Sequence, residues 1–101
     1  MVDLKELQKK IYQNKVNHNF NLTDINLEFC YLTDEIGEAH QAYLRNLGDL
    51  GEELADIGIY LLGLSEILGI DLEKEILHKM DKNRKRVYFT DSDGILKKIE
   101  G

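Results

Sequence analysis

The chain has 101 residues and carries 19 acidic against 13 basic side chains, which gives a formal net charge of −6. This length predicts one domain over residues 1–101, and the acidic balance argues against a nucleic acid polymer as partner, because its phosphates attract basic surfaces. The single cysteine excludes an internal disulfide, and the longest apolar run, residues 57–64, is far below the roughly 18 residues of a membrane span. With a charged N-terminus that lacks the apolar stretch of a signal peptide, we expect a cytoplasmic protein that does not engage a membrane.

Apolar residues spaced by three and four predict α-helices along most of the chain. The first helix covers residues 3–15, where Asp3 and Glu6 have the spacing of a capping box. The second covers residues 24–46, with Thr23 as its N-cap and Gly48 as the stop after its last turn.

The third predicted helix, residues 50–68, is apolar on nearly every side. Such a helix is buried either in a large core or between subunits, and in a chain this short we favour the second. Gly58 and Gly63 inside it each cost about 1 kcal/mol relative to alanine, a cost that close helix packing would offset.

The fourth predicted helix covers residues 72–86, and the tail, residues 87–101, contains the turn sequence Asp91-Ser92-Asp93-Gly94 between short apolar segments, which predicts a hairpin. Short connections make the last three helices antiparallel neighbours. The predicted fold is all-α: a four-helix antiparallel bundle, completed by oligomerisation, with a short C-terminal hairpin or tail.

Two pairs of carboxylates are the strongest functional signal. Glu35 and Glu38 lie on the second helix, and Glu53 and Asp56 lie on the third. Residues three apart share one helix face, so antiparallel packing can direct the two pairs at each other. Hard divalent cations prefer such oxygen ligands. Any acidic helix also produces such pairs by chance, as a solvated face, and Glu28 extends that face or is itself solvated.

Asp56 is the only charged residue between Leu54 and Leu64. An aspartate in so apolar a segment needs compensation, either by a metal ion or by a basic side chain.

Basic residues concentrate at the end of the fourth helix: Lys79, Lys82, Arg84, Lys85 and Arg86, with Asn83 among them. Cations at a helix C-terminus complement the helix dipole. The alternative is phosphate binding, since Lys79 and Asn83 share a face and together offer charge and hydrogen-bond donors.

The order and spacing of three segments resemble the MazG-type, all-α nucleotide pyrophosphohydrolases over roughly residues 27–88. The segments are Glu35-Ile36-Gly37-Glu38, Glu53-Leu54-Ala55-Asp56 and Lys79-Met80-Asp81-Lys82-Asn83-Arg84. The chain departs from the family at Asp34, where the family often has a glutamate.

The resemblance implies hydrolysis of a nucleoside triphosphate or deoxynucleoside triphosphate to its monophosphate and pyrophosphate. Mg²⁺ would be the cofactor, with Mn²⁺ as a substitute, and removal of non-standard nucleotides a possible role. Glu35, Glu38, Glu53 and Asp56 would be the catalytic metal ligands, and Lys79, Asn83 and Arg84 would contact the phosphates. The family also implies a homodimer or homotetramer.

Two other hypotheses remain open. The first is a non-catalytic acidic helical module for oligomerisation or interaction, suggested by the apolar third helix. The second is a phosphohydrolase with the same chemistry for another nucleotide, such as phosphoribosyl-ATP.

Overall fold

A computed structural model describes residues 2–99 of the chain. It contains four helices, α1 Leu4–Asn17, α2 Ile25–Arg45, α3 Leu50–Ile67 and α4 Leu72–Arg84, followed by strands β1 Tyr88–Thr90 and β2 Leu96–Lys98. The strands pair antiparallel with Phe89 opposite Lys97, so the predicted helical fold with a C-terminal hairpin is confirmed. Each helix end lies within two residues of its predicted position. The last two residues of the predicted tail, 100 and 101, lie outside the described residues, as does residue 1.

Every helix begins after an aspartate whose carboxylate accepts a hydrogen bond from the backbone of the first turn. The four N-caps are Asp3, Asp24, Asp49 and Asp71. The predicted cap of the second helix, Thr23, is therefore wrong. Asp24 takes the position because Asn21 fixes its backbone: the Asn21 side chain accepts from the Asp24 N–H at 3.1 Å and donates to the Asp24 carbonyl at 2.8 Å.

Helix α2 ends at Asn46, which has a left-handed φ of 52°. The predicted stop, Gly48, also has a positive φ, 65°, two residues further on. Helix α4 ends at Arg84, two residues before the predicted end, and Ile99 donates to the Val87 carbonyl as the hairpin begins.

The central element is α3, which packs against α2 along one side and α1 along another. The short connection between α2 and α3 makes them an antiparallel helical hairpin. At Gly63 an added Cβ would lie 3.3 Å from side-chain atoms of both Ile11 and Lys15. Gly63 thus permits the close approach of α1 that was expected for the glycines of this helix, whereas nothing described lies within 4 Å of such a Cβ at Gly58.

A buried glutamine joins α1 to the connection between α3 and α4. Gln8 is 2% exposed. Its amide nitrogen donates to the Ile70 carbonyl at 2.6 Å and to Glu66 at 3.2 Å, and its amide oxygen accepts from the Leu72 N–H at 3.3 Å. Because every polar atom of this side chain is paired, it can be buried at little cost.

A buried ion pair joins α1 to α2. The Lys15 ammonium donates to Glu28, and the second Glu28 oxygen accepts from the Asn21 amide at 3.2 Å. Lys15 Nζ also lies 5.7 Å from the centre of the Tyr60 ring on α3. The expectation that Glu28 is solvated, or extends the acidic face, is wrong, since Glu28 is 2% exposed and is neutralised by Lys15.

The core of a single chain is small. Within residues 2–99 the buried apolar side chains are Ala39, Leu62 and Leu64, and α4 buries none of its residues. The radius of gyration is 17.2 Å, compared with about 13 Å for a compact domain of this length. Large apolar side chains on α2, α3 and α4 are more than half exposed, among them Tyr43, Leu44, Leu54, Leu77 and Met80.

Within residues 2–99, no helix has both the length and the apolar character that crossing a membrane requires.

Replacing Lys15 by methionine keeps most of the side-chain volume and leaves Glu28 buried without its cation. We expect Lys15→Met to lower the free energy of unfolding by about 3–5 kcal/mol, measured in urea at fixed protein concentration. The double variant Lys15→Met/Glu28→Leu should recover most of that loss, because no buried charge remains unpaired. Lys10→Met, at an exposed position of α1, is the control. Equal losses in the single and double variants would contradict the assignment.

Candidate metal centre

The packing of α2 against α3 brings three glutamates together. Carboxylate oxygens of Glu35, Glu38 and Glu53 all lie within 4.8 Å of one another. Glu35 and Glu53 are half-buried, and Glu38 is exposed. We call these three residues the carboxylate cluster. The cluster contains both residues of the first predicted pair, Glu35 and Glu38, and one residue of the second pair, Glu53.

The electrostatics of the cluster are unfavourable without a cation. Burial raises the pKa of Glu35 above its ordinary value of 4.5, and the charges of Glu38, Asp56 and Glu53 raise it further. Glu35 Oε2 is buried and has no hydrogen-bond partner within residues 2–99. Buried carboxylate oxygens are normally paired, so a bound cation would satisfy this unpaired oxygen and relieve the repulsion from the like charges around it.

Asp56 lies beside the cluster. It is half-buried and outside the group of three, although its charge contributes to the raised pKa of Glu35. None of the ion pairs formed within residues 2–99 includes Asp56. The sequence predicted that either a metal ion or a basic side chain compensates the charge of Asp56. Within residues 2–99 no basic side chain does so, which leaves the metal ion.

The donors suit a hard divalent cation. All of them are carboxylate oxygens, which Mg²⁺ and Mn²⁺ prefer, and they come from two helices held in fixed register. A bound ion would give the free oxygen of Glu35 a partner and offset the repulsion among the three charges. Glu35, Glu38 and Glu53 would hold it, and the charge of Asp56 acts on the same site.

An aromatic cavity opens beside the cluster. It has a volume of 360 Å³ and is lined by Phe20, Tyr31 and Tyr60, with the Lys15–Glu28 pair also in its wall. Burial, followed by the charges of Glu35, Glu28, Tyr31 and Asp56, raises the pKa of Tyr60 above 10.0. Tyr60 thus lies between the cavity and the carboxylates.

Tyr60 and Lys15 are site residues that were not predicted from the sequence. The position of Tyr60, four residues after Asp56 on the same helix face, was a signal that could have identified it. Nothing in the local sequence marks Lys15, because its partners lie on other helices.

The basic segment, residues 79–86, is separate from the cluster within one chain. Lys79, Asn83 and Arg84 are exposed, and α4 packs against α1 rather than along α2 or α3. Arg84 pairs with Asp81, and the charges of Arg86, Lys82 and Lys98 lower the pKa of Lys79. No ion pair or hydrogen bond described within residues 2–99 joins this segment to the cluster.

Adding Mn²⁺ or Mg²⁺ should raise the melting temperature of the protein, and Glu35→Gln should remove most of that rise. Glu6→Gln, at an exposed position of α1, should leave it intact. Because the pKa of Glu35 is raised, protons compete with the ion, so the rise should shrink as the pH falls toward the ordinary carboxyl value of 4.5. An equal rise in wild type and Glu35→Gln would exclude Glu35 as a ligand.

The metal-free protein should respond to pH in the opposite direction. A carboxyl with a raised pKa in the folded state stabilises the fold below its ordinary value of 4.5, and this contribution is lost as pH rises through the folded-state pKa. Urea unfolding without metal should show this loss in wild type and not in Glu35→Gln.

Comparison with known proteins identifies the family. The model of the MazG-like family matches residues 20–100. A solved structure of the cyanophage S-2L MazG-like pyrophosphohydrolase, bound to dGDP and three catalytic Mn²⁺ ions per active site, is similar, with a TM-score of 0.76 and 28% sequence identity. The match covers 99% of this chain and 96% of that one. A search among curated proteins gave no significant match. The chain belongs to the MazG-like family.

Proposed function

We propose that this protein is a Mg²⁺- or Mn²⁺-dependent nucleotide pyrophosphohydrolase. It hydrolyses a nucleoside or deoxynucleoside triphosphate between the α- and β-phosphates to the monophosphate and pyrophosphate. The observation that carries the proposal is the carboxylate cluster, in which Glu35 retains a buried, unpaired oxygen among like charges. The similar phage enzyme, bound to a nucleotide and Mn²⁺, supports both the metal and the substrate class.

The roles of the residues follow from charge. Glu35, Glu38 and Glu53 hold the ion, with Asp56 beside them, and one carboxylate accepts a proton from the attacking water. When bound, the ion supplies neutralisation of phosphate charge and lowers the pKa of water. The water oxygen forms a bond to the α-phosphorus, the bond from that phosphorus to the bridging oxygen breaks, and pyrophosphate leaves with the bond electrons.

The aromatic cavity is suited to the base of the nucleotide. Phe20, Tyr31 and Tyr60 offer ring faces for stacking, and the charge of Glu35 acts on Tyr60 in the cavity wall. The side-chain amide of Asn14, which also lines the cavity, forms no hydrogen bond within residues 2–99 and is free to contact the edge of a base. This arrangement favours a nucleotide over an inorganic polyphosphate.

The active protein is a homodimer or homotetramer in this proposal. The exposed apolar side chains of α2, α3 and α4 and the expanded shape of one chain require a covering surface. In one chain the basic segment lies on α4, which packs mainly against α1. We propose that Lys79, Asn83 and Arg84 of one subunit contact the phosphates bound at the carboxylate cluster of another.

Purified protein incubated with Mg²⁺ and a panel of natural and modified nucleoside triphosphates should release monophosphate and pyrophosphate from at least one of them. Including phosphoribosyl-ATP in the panel tests the related activity on another nucleotide. Glu38→Gln should lower kcat at least 100-fold, because it removes a metal ligand without changing side-chain volume. Products are identified by ³¹P NMR. Absence of both products across the panel would contradict the proposed activity. The remaining hypothesis would then be the non-catalytic helical module for oligomerisation or interaction.

Mixing two inactive variants tests the contribution of a second subunit. Co-expressed Glu38→Gln and Lys79→Gln chains should regain about a quarter of wild-type activity, because half of the randomly formed pairs carry one intact site. Each variant alone should stay nearly inactive. A mixture no more active than the variants alone would place the two residues in sites within one chain.

A further inference from the structure

A second opening lies on the other side of the carboxylate cluster. It is a wide cleft of 610 Å³, lined by Glu38 and Glu53 together with Gln41, Arg45 and Gly48. It shares no lining residue with the aromatic cavity. Along α2 the aromatic cavity is lined by residues 28 and 31, the cluster includes residues 35 and 38, and the cleft continues to residue 45. Along α2 the cluster therefore follows the aromatic cavity and borders the cleft.

Arg45 is the only basic side chain described among those that line this cleft. It follows Glu38 by seven residues, two turns along the same helix face, or about 10 Å along the axis. The Cα–Cβ bonds of an α-helix tilt toward its N-terminus, which at Arg45 is the direction of Glu38 and the cluster.

The guanidinium has no partner within residues 2–99. It forms neither an ion pair nor a hydrogen bond there, although Asp34, Glu38 and Glu53 line the same cleft. Its location in the last turn of α2 complements the helix dipole, which accounts for a positive charge but not for its placement beside two candidate metal ligands.

We propose that Arg45 binds the β- and γ-phosphates of the substrate and, after cleavage, the pyrophosphate product. This proposal rests on the proposed function. With the base in the aromatic cavity and the α-phosphate at the cluster, the rest of the triphosphate extends into the cleft. A guanidinium presents paired N–H donors that match phosphate oxygens, and it stays charged at any working pH.

The position of Arg45 determines on which side of the cluster the pyrophosphate leaves. The charge on the leaving pyrophosphate increases as the bond to the α-phosphorus breaks, and a fixed cation in the cleft stabilises that charge. Arg45 belongs to the same α2 that carries Glu35 and Glu38, so its distance from them is set by the helix. The basic segment of another subunit would approach the same phosphates from outside.

Binding of pyrophosphate tests the proposal, using calorimetric titration of magnesium pyrophosphate into the full-length protein. Arg45→Gln should weaken binding about 10- to 100-fold, as expected for loss of a charge-assisted hydrogen bond, and Arg45→Lys should restore part of it. Mn²⁺ binding should not change, because Arg45 is not a ligand. Lys10→Gln makes the same charge change at an exposed site of α1 and should bind as wild type does.

In steady-state assays, Arg45→Gln should lower kcat/KM by a similar factor and weaken inhibition by pyrophosphate, while inhibition by the nucleoside monophosphate stays constant. Pyrophosphate binding within twofold of wild type in Arg45→Gln would overturn the proposal, whether or not a substrate has been found. Failure of wild type to hydrolyse any nucleotide while Arg45→Gln still loses pyrophosphate binding would contradict the proposed function and retain the phosphate site.

Discussion

Three like charges held within 4.8 Å of one another are the constraint on which the rest of this site depends. Helices α2 and α3 supply Glu35, Glu38 and Glu53 from rigid positions, and the packing that joins the helices prevents the carboxylates from separating. Burial and neighbouring charges raise the pKa of Glu35, so in the absence of a cation the fold bears the cost of the repulsion. In the proposed function, a bound divalent ion would offset this repulsion, so relief of the repulsion would add to the free energy of metal binding.

The remainder of the molecule holds these helices in register with little apolar core. Polar contacts hold the helices together. Gln8 joins α1 to the chain that follows α3, and the Lys15–Glu28 pair joins α1 to α2 next to the Tyr60 ring. The same ion pair borders the aromatic cavity, so it contributes to both the fold and the proposed base site. The apolar surfaces left exposed on α2, α3 and α4 are the reason that we propose a second copy of the chain.

The helices could be predicted from local sequence, whereas the composition of the site depends on how the helices pack against one another. Periodic apolar residues and aspartate caps define the four helices, and the choice between Thr23 and Asp24 is made by Asn21, three residues before Asp24. Spacing by three identified both carboxylate pairs. It could not show that Asp56 stands outside the tight group, because helix rotation determines which side chains converge. The burial of Glu28 and the separation of α4 from the cluster depend on packing between helices, which sequence spacing does not record.

In the proposed reaction the carboxylate cluster directs water to the α-phosphorus of a nucleoside triphosphate. Hydrolysis in ¹⁸O-labelled water tests it most directly, because attack at either phosphorus gives the same two products. The account predicts that mass spectrometry finds the label in the nucleoside monophosphate, with none in pyrophosphate. Label in pyrophosphate would place the attack at the β-phosphorus and contradict the proposed arrangement of base, cluster and cleft.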